Sequence, residues 1–92
     1  MRLKVQYTAQ LKREAGTAEE EIEIEEAKDL QQVLKLLTAS HNRNFYDILF
    51  DENGNFRNSV VLVLNGVQIG IDDPISLTDN DELLLLSPIA GG

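Results

Sequence analysis

The sequence contains no cysteine, so a disulfide, a thiolate metal site and a thiol nucleophile are all excluded. It also lacks any apolar run near the length of about 20 residues that a membrane span requires. The N-terminus enters an alternating pattern at once over Met1–Val5, without the apolar core of a signal peptide. These absences predict a cytoplasmic protein that neither crosses nor binds a membrane.

Basic residues are few. Lysine and arginine number 8 against 16 acidic residues, which gives a net charge of −8. A nucleic-acid binder needs a basic surface, so that class is disfavoured, and we expect an acidic protein to be steered toward basic surfaces on partner proteins. Much of the acid lies in the run Glu19–Glu26, which we interpret as the solvated face of a strand.

Groups that could carry catalysis are equally scarce. His41 is the only histidine, is not accompanied by a serine–acid constellation, and is predicted to end a helix. Asp51 begins a stretch that resembles a calcium loop, but its glycine is misplaced and Leu62 occupies the position of the bidentate glutamate. No phosphate-binding glycine loop is present. We therefore predict no catalytic residue, no metal site, no cofactor bound by the chain itself and no enzymatic activity of its own.

The first half of the chain alternates short strands with one strong helix. Arg2–Thr8 reads as a strand with one apolar face, Ala9–Gly16 as a short helical connection, and the segment around Ile22 and Ile24 as a half-buried strand. Asp29 is predicted to cap a helix that runs to about Ser40. Gln32, three residues later, is the capping partner of Asp29. The apolar stripe of this helix consists of Leu30, Val33, Leu34 and Leu37.

A second, shorter helix is predicted over Phe45–Phe50. Its aromatic residues are interpreted as a small satellite core, with a docking patch as the alternative. Asp51–Asn58 is rich in turn-forming residues and is predicted to be an exposed loop.

The second half of the chain is predicted to be strands joined by turns. Val60–Leu64 is continuously apolar and β-prone, as in a strand buried on both faces, and Asn65-Gly66 is a strong type I′ hairpin signal. Val67–Ile71 returns as a short strand, and Glu82–Ser87 is the last one. The order β-β-α-(α)-β-β-β predicts one α+β domain over residues 1–92, with a mixed sheet of about five strands and one principal helix packed on one face. Two further turns are predicted, at Asp72-Asp73-Pro74 and at Thr78–Asp81.

The sequence ends on two glycines directly after the last predicted strand. Pro88 cannot donate to a ladder and closes that strand, while glycine can pass through a channel too narrow for other residues. We therefore predict a flexible tail, residues 88–92, that inserts into a partner's active site and presents the carboxylate of Gly92. Adenylation by ATP would activate this carboxylate for capture by sulfide or by an amine; a frayed chain end is the alternative. The tail consists of Pro88, Ile89, Ala90, Gly91 and Gly92.

This element order and tail together resemble the ubiquitin-like sulfur carriers of β-grasp fold, and within them the small subunit of molybdopterin synthase. The tail and the turn before the last strand are the most specific of the matching segments, which span nearly the whole chain. They are Val5–Gly16, the helix at Leu30, Leu64-Asn65-Gly66, Leu77–Glu82 and Ser87–Gly92.

The resemblance implies a mechanism in which the chain supplies no catalytic side chain. An E1-like enzyme, which binds the ATP, would adenylate Gly92. A sulfur donor, a sulfurtransferase or desulfurase, would convert it into a thiocarboxylate. The tail would then enter a catalytic subunit, that of molybdopterin synthase, where sulfur passes to the pterin precursor of the molybdenum cofactor. An apolar face of the sheet would dock against these partners.

The resemblance also leaves other destinations for the sulfur open. The stretch His41–Asn58 is longer than in compact family members, and Leu49–Arg57 resembles a segment of carriers that serve cysteine synthesis. The shorter thiamin carrier fits less well. A ubiquitin-related modifier, which couples tRNA thiolation to isopeptide formation on lysines, is a further alternative. Asn80 replaces the glycine usual in the turn before the last strand, and asparagine tolerates the left-handed conformation expected there.

Overall fold

The computed structural model describes residues 1–25 and 29–88, which form one sheet with helices on one of its faces. The strands are β1 (Arg2–Tyr7), β2 (Glu19–Glu23), β3 (Val61–Leu64), β4 (Val67–Ile69) and β5 (Asp81–Leu86), and the helices are α1 (Ala9–Ala15), α2 (Leu30–Ala39) and α3 (Arg43–Leu49).

The sheet is mixed and has the strand order β2-β1-β5-β3-β4. The first and last strands, β1 and β5, lie side by side in parallel, whereas the pairs β1–β2, β3–β5 and β3–β4 are antiparallel. The predicted α+β, β-grasp architecture is confirmed. The parallel pairing places the end of β5, from which the tail leaves, beside the end of β1.

One face of the sheet and the helices enclose the core. Leu3, Val5 and Tyr7 alternate along β1 and are buried, as predicted, and the register aligns Val5 with Leu83 and Tyr7 with Leu85 on the same face. Burial of such side chains is the main favourable term in folding, at about 1.5–3 kcal/mol each.

Helix α2 is the principal helix and covers this face. The side chain of Asp29 accepts a hydrogen bond from the backbone N–H of Gln32 at 2.9 Å, so the predicted cap is confirmed. The helix ends at the predicted place, because Ser40 is its C-cap. The four residues of the predicted apolar stripe are all buried: Leu30, Val33, Leu34 and Leu37.

Helix α3 differs from its prediction in its start and in its role. It begins at Arg43, because the side chain of Asn42 accepts a hydrogen bond from the N–H of Phe45 at 2.9 Å and caps the helix earlier than predicted. Phe45 and Phe50 are fully buried in the main core. The predicted satellite core is therefore wrong: α3 packs its aromatic rings into the same core as α2.

Strand β3 is also less buried than its composition suggests. Leu62 faces the core, but Val61 and Val63 on the opposite face are only half-buried. The prediction of a strand buried on both faces is wrong, because among the described residues the helices cover only one face of the sheet. The apolar side chains on the other face are left partly open.

The two turns that frame this half of the sheet have the predicted backbone. Asn65 (φ 50°) and Gly66 (φ 85°) both adopt the left-handed conformation of a type I′ turn between β3 and β4. Asn80 also has positive φ, at 69°, which confirms that asparagine supplies the conformation for which glycine is more usual.

Asp81 joins the turn before β5 to the β3–β4 hairpin turn through hydrogen bonds. Its carboxylate accepts hydrogen bonds from the backbone N–H of Thr78 at 2.8 Å, from the Thr78 hydroxyl at 2.9 Å and from the Asn65 amide at 2.9 Å. Desolvation raises the pKa of this carboxyl, but the hydrogen bonds from Thr78 and Asn65 outweigh it, so the pKa lies below its ordinary value of 3.8.

A depressed folded-state pKa means that the ionised carboxylate stabilises the fold at neutral pH and that this contribution is lost as the pH falls through and below the ordinary value. We expect Asp81→Asn to lower the free energy of unfolding at pH 7 by about 1–3 kcal/mol. The NH2 group of the introduced asparagine cannot accept the hydrogen bonds that Thr78 and Asn65 donate to the carboxylate. The difference from wild type should shrink toward pH 3. Urea unfolding across this range tests it, with exposed Asp72→Asn as the control for the loss of one charge. A difference that does not change with pH would contradict it.

Candidate functional site

The predicted site is the tail, and the structure describes where it begins. Strand β5 ends at Leu86, and Ser87 and Pro88, which we call the tail root, follow it and are half-buried. Of the five predicted tail residues, only Pro88 is described. The other four lie outside the described residues, so their roles stay predictions: Ile89, Ala90, Gly91 and Gly92.

The tail root is hydrogen-bonded to the junction between β1 and α1. The N–H of Ser87 donates to the hydroxyl of Thr8 at 3.1 Å, and the hydroxyl of Ser87 donates to the carbonyl of Thr8. The Ser87 hydroxyl also accepts from the N–H of Leu11 at 3.2 Å. Sequence reasoning missed this arrangement, because Thr8 and Ser87 are 79 residues apart and neither stands in a motif for contact with the other.

Beside the tail root, the outer face of the sheet carries an apolar patch. Val61 lies opposite Leu86, and Val63 lies opposite Leu84, so the four side chains form two cross-strand pairs. Leu86 is 36% exposed, and the other three side chains are half-buried. Because Leu86 directly precedes Ser87, the patch is continuous with the root of the tail.

The other half of the outer face is charged. The ammonium of Lys4 lies 3.4 Å from the carboxylate of Glu19 and 3.6 Å from that of Glu82, and the Arg2 guanidinium pairs with Glu21 and Glu23. The exposed Glu19, Glu21 and Glu23 confirm the predicted solvated face of this strand. Glu20 departs from the prediction because it is half-buried on the opposite face, and Glu26 lies outside the described residues. Exposed ion pairs of this kind add little to stability because water screens them, so their main effect is on the electrostatic field that a partner meets.

A polar cluster at the other face joins β1, β2 and the end of α2. The Tyr7 hydroxyl donates to Glu20 at 2.8 Å, and a ring nitrogen of His41 lies 2.8 Å from the same oxygen. His41 also stacks on Phe45, with ring centroids 4.2 Å apart. Burial, and then the hydrogen bond and charge of Glu20, raise the pKa of Tyr7 well above its ordinary value, so the phenol stays neutral.

This cluster accounts for the position and the role of His41, the one histidine of the sequence. The prediction that His41 ends a helix is confirmed, since it follows the C-cap Ser40. Its bond to Glu20, which sequence reasoning missed, joins the end of α2 to β2 across 21 residues of sequence. The role that the geometry supports is structural.

The described residues lack two features on which other classes of function depend. Over residues 1–25 and 29–88, no group of three or more histidine or acidic side chains is arranged to hold a metal ion. In the same ranges, no helix has both the length and the apolar character needed to cross a membrane.

Comparison with known proteins gives a family and a set of similar folds. The model of the ThiS family matches residues 5–92. A putative molybdopterin converting factor subunit 1 from Pyrococcus furiosus is 27% identical, with a TM-score of 0.72 and coverage of 97% of this chain and 99% of that one. The small archaeal modifier protein 1 of Methanosarcina acetivorans is 28% identical, with a TM-score of 0.72 and coverage of 99% and 96%.

The modifier protein SAMP1 from Haloferax volcanii has a higher TM-score, 0.85, at 20% identity, and the match covers 100% of both chains. This third likeness is one of fold. No curated protein sequence matches the chain.

Proposed function

Since the chain belongs to the ThiS family of ubiquitin-like sulfur carriers, we propose that its Gly92 carboxylate is adenylated by an E1-like enzyme and converted into a thiocarboxylate. The observation that carries the proposal is the family match, which extends through residue 92 and so includes the tail. The chain contributes the reacting carboxylate and the surface that brings it to the enzyme, and the activating enzyme binds the ATP.

The proposed conversion of the Gly92 carboxylate takes place in two steps. The carboxylate oxygen of Gly92 attacks the α-phosphorus of ATP, and pyrophosphate leaves, which yields an acyl-adenylate. Hydrosulfide then attacks the carbonyl carbon, AMP leaves, and the thiocarboxylic acid releases its proton to water, which yields the thiocarboxylate. No side chain of this chain has to transfer a proton in either step, which agrees with the structural role of His41.

The apolar patch is the proposed docking surface for the activating enzyme and for the subunit that accepts the sulfur. It lies next to the tail root, so docking would aim the tail into the partner. Four residues follow Pro88, and an extended chain spans at most about 3.3–3.6 Å per residue, so Gly92 reaches roughly 14 Å beyond Pro88. The partner's active site must therefore lie within that distance of the docked tail root.

We propose molybdopterin synthesis as the destination of the sulfur, with the large subunit of molybdopterin synthase as the accepting partner. The likeness to the Pyrococcus furiosus protein, a putative molybdopterin converting factor subunit, supports this assignment. Cysteine synthesis, thiamin synthesis and tRNA thiolation stay alternative destinations. In each case we propose the cytoplasm as the compartment, because it supplies the ATP that activation consumes.

A second candidate function is that of a protein modifier joined to lysines through Gly92. The specific observation in its favour is the 28% identity to the small archaeal modifier protein 1 of Methanosarcina acetivorans, nearly equal to the 27% identity to the converting factor subunit. A carrier and a modifier share the activation step, and they differ in whether sulfide or an amine captures the adenylate.

Intact mass measurement tests the proposal. We expect incubation with ATP, a sulfide source and extract of the host to replace one oxygen of the Gly92 carboxylate by sulfur, detected in the C-terminal peptide. Adduct bands on a reducing, denaturing gel would favour the modifier instead. An unchanged mass, with a known carrier converted in its own extract alongside, would contradict both. A positive result is followed by assay with the pterin precursor and the large subunit.

A further inference from the structure

We propose that Thr8 and Ser87 form a clamp that sets the direction in which the tail leaves the domain, and that both are positioning residues for the adenylation of Gly92. This inference rests on the proposed function. The clamp is built from residues near opposite ends of the chain, 79 positions apart.

The clamp consists of four hydrogen bonds between two junctions. The Thr8 hydroxyl accepts from the N–H of Ser87 at 3.1 Å and donates to the carbonyl of Leu85 at 3.3 Å. The Ser87 hydroxyl donates to the carbonyl of Thr8 and accepts from the N–H of Leu11 at 3.2 Å. Each hydroxyl therefore both donates and accepts, and the two side chains hold each other's backbone.

The N-terminus of α1 is capped in an unusual way, by the end of β5 and not by its own N-cap side chain. Thr8 occupies the N-cap position of α1, where a threonine hydroxyl ordinarily accepts from its own helix, but it makes no side-chain cap. Its hydroxyl is turned toward β5 instead. The N–H of Leu11 in the first turn is satisfied by Ser87, so the end of the last strand caps the first helix.

The clamp lies where the sheet itself can no longer hold the chain. The parallel ladder of β1 and β5 extends to the pair Tyr7 and Leu85, and Pro88 has no N–H to continue it. Ala9, the residue after Thr8, has a positive φ of 47°, which costs a non-glycine residue about 1–3 kcal/mol and persists only where the surroundings impose it. The junction between β1 and α1 is thus held in one backbone geometry, although the positive φ of Ala9 is unfavourable.

Direction at the root matters because the proposed reaction needs the tail extended in the partner's passage, where a tilt at Pro88 would displace the reacting atom. A tilt of about 20° at Pro88 displaces a carboxylate roughly 14 Å away by about 5 Å, by the reach of an extended chain. A misplacement of about 1 Å can cost on the order of 100-fold in rate. The clamp should therefore affect the chemical step, whereas docking through the apolar patch should not depend on it.

We expect Ser87→Ala and Thr8→Val to lower the kcat of ATP–pyrophosphate exchange by the activating enzyme about tenfold and to leave the KM for the carrier within about twofold. Thr8→Ser keeps the hydroxyl and should restore most of kcat. Exposed Ser59→Ala is the matched control for the loss of a hydroxyl and should behave as wild type. Unfolding of each variant in urea verifies that it is folded.

Amide hydrogen exchange on the isolated carrier supplies a second readout. Ser87→Ala should speed exchange at Leu11, and Thr8→Val should speed it at Ser87, because each amide loses its acceptor. Unchanged exchange in both variants would overturn the clamp itself.

The kinetic outcomes separate the clamp from the proposed function. Unchanged kcat in both folded variants, or a raised KM with unchanged kcat, would overturn positioning. If wild type supports no exchange while a known carrier is active with its own enzyme, the proposed function fails, and the positioning role fails with it. The exchange measurement still decides whether the hydrogen bonds hold the tail root.

Discussion

A chain that carries one additional alanine after Gly92 is expected to lose adenylation by at least about 100-fold, because the carboxylate is then displaced by a whole residue from the position that the enzyme requires. The added methyl group also enters a passage that we expect to admit only glycine. Stability should not change, because the added residue leaves every side chain of the described core in place. Pyrophosphate exchange and urea unfolding measure the two quantities.

The same alanine placed before Met1 is the matched control. It adds an identical residue at the end of the chain that the proposed reaction does not use, and it should leave adenylation unchanged. An extended chain adenylated at the wild-type rate would refute the assignment of Gly92 as the reacting residue.

Two neighbouring leucines on β5 are expected to separate stability from partner binding. Leu85 is fully buried in the core, whereas Leu86 points to the opposite face and is 36% exposed. Leu85→Ala should lower the free energy of unfolding by about 2–5 kcal/mol, because it removes buried methyl groups and leaves a cavity. That is a large share of the roughly 5–14 kcal/mol expected for a domain of this length.

Leu86→Ala should cost less than about 1 kcal/mol of stability, since its side chain is already partly in water. If the apolar patch docks the partners, it should instead weaken binding to the activating enzyme by about tenfold, as for an apolar residue central to an interface. Denaturation curves and binding titrations on both variants test this. Equal destabilisation by the two substitutions would contradict the assignment of faces, and unaltered binding of Leu86→Ala would contradict the docking surface.

Local patterns in the sequence were sufficient for most of the secondary structure. Alternation identified β1 and its buried face, Asp29 and Gln32 identified the start of α2, and Asn65-Gly66 identified the hairpin. Each of these features depends on residues within four or five positions of one another. Their physical causes, namely strand alternation, helix capping and the left-handed tolerance of asparagine and glycine, act within the segment that displays them.

Predictions of burial succeeded less well, because burial depends on what the rest of the chain places against a segment. Val61 and Val63 read as core residues, yet none of the described helices covers their face of the sheet, where they are half-buried and form part of the apolar patch. Phe45 and Phe50 read as a satellite cluster, yet α3 packs them into the main core. Composition alone cannot distinguish a strand that is buried on both faces from a strand that has one apolar face in the core and another apolar face accessible to a partner.

The sequence by itself therefore determined the element order, the acidic solvated strand, the principal helix and the diglycine ending on which the proposed function rests. Only the tertiary structure decided which residues meet across the chain: the parallel pairing of β1 with β5, the bond between Glu20 and His41, and the clamp between Thr8 and Ser87. These contacts join segments 21 to 79 residues apart. Such pairings follow from how the whole sheet packs against its helices, and no local periodicity or motif encodes them.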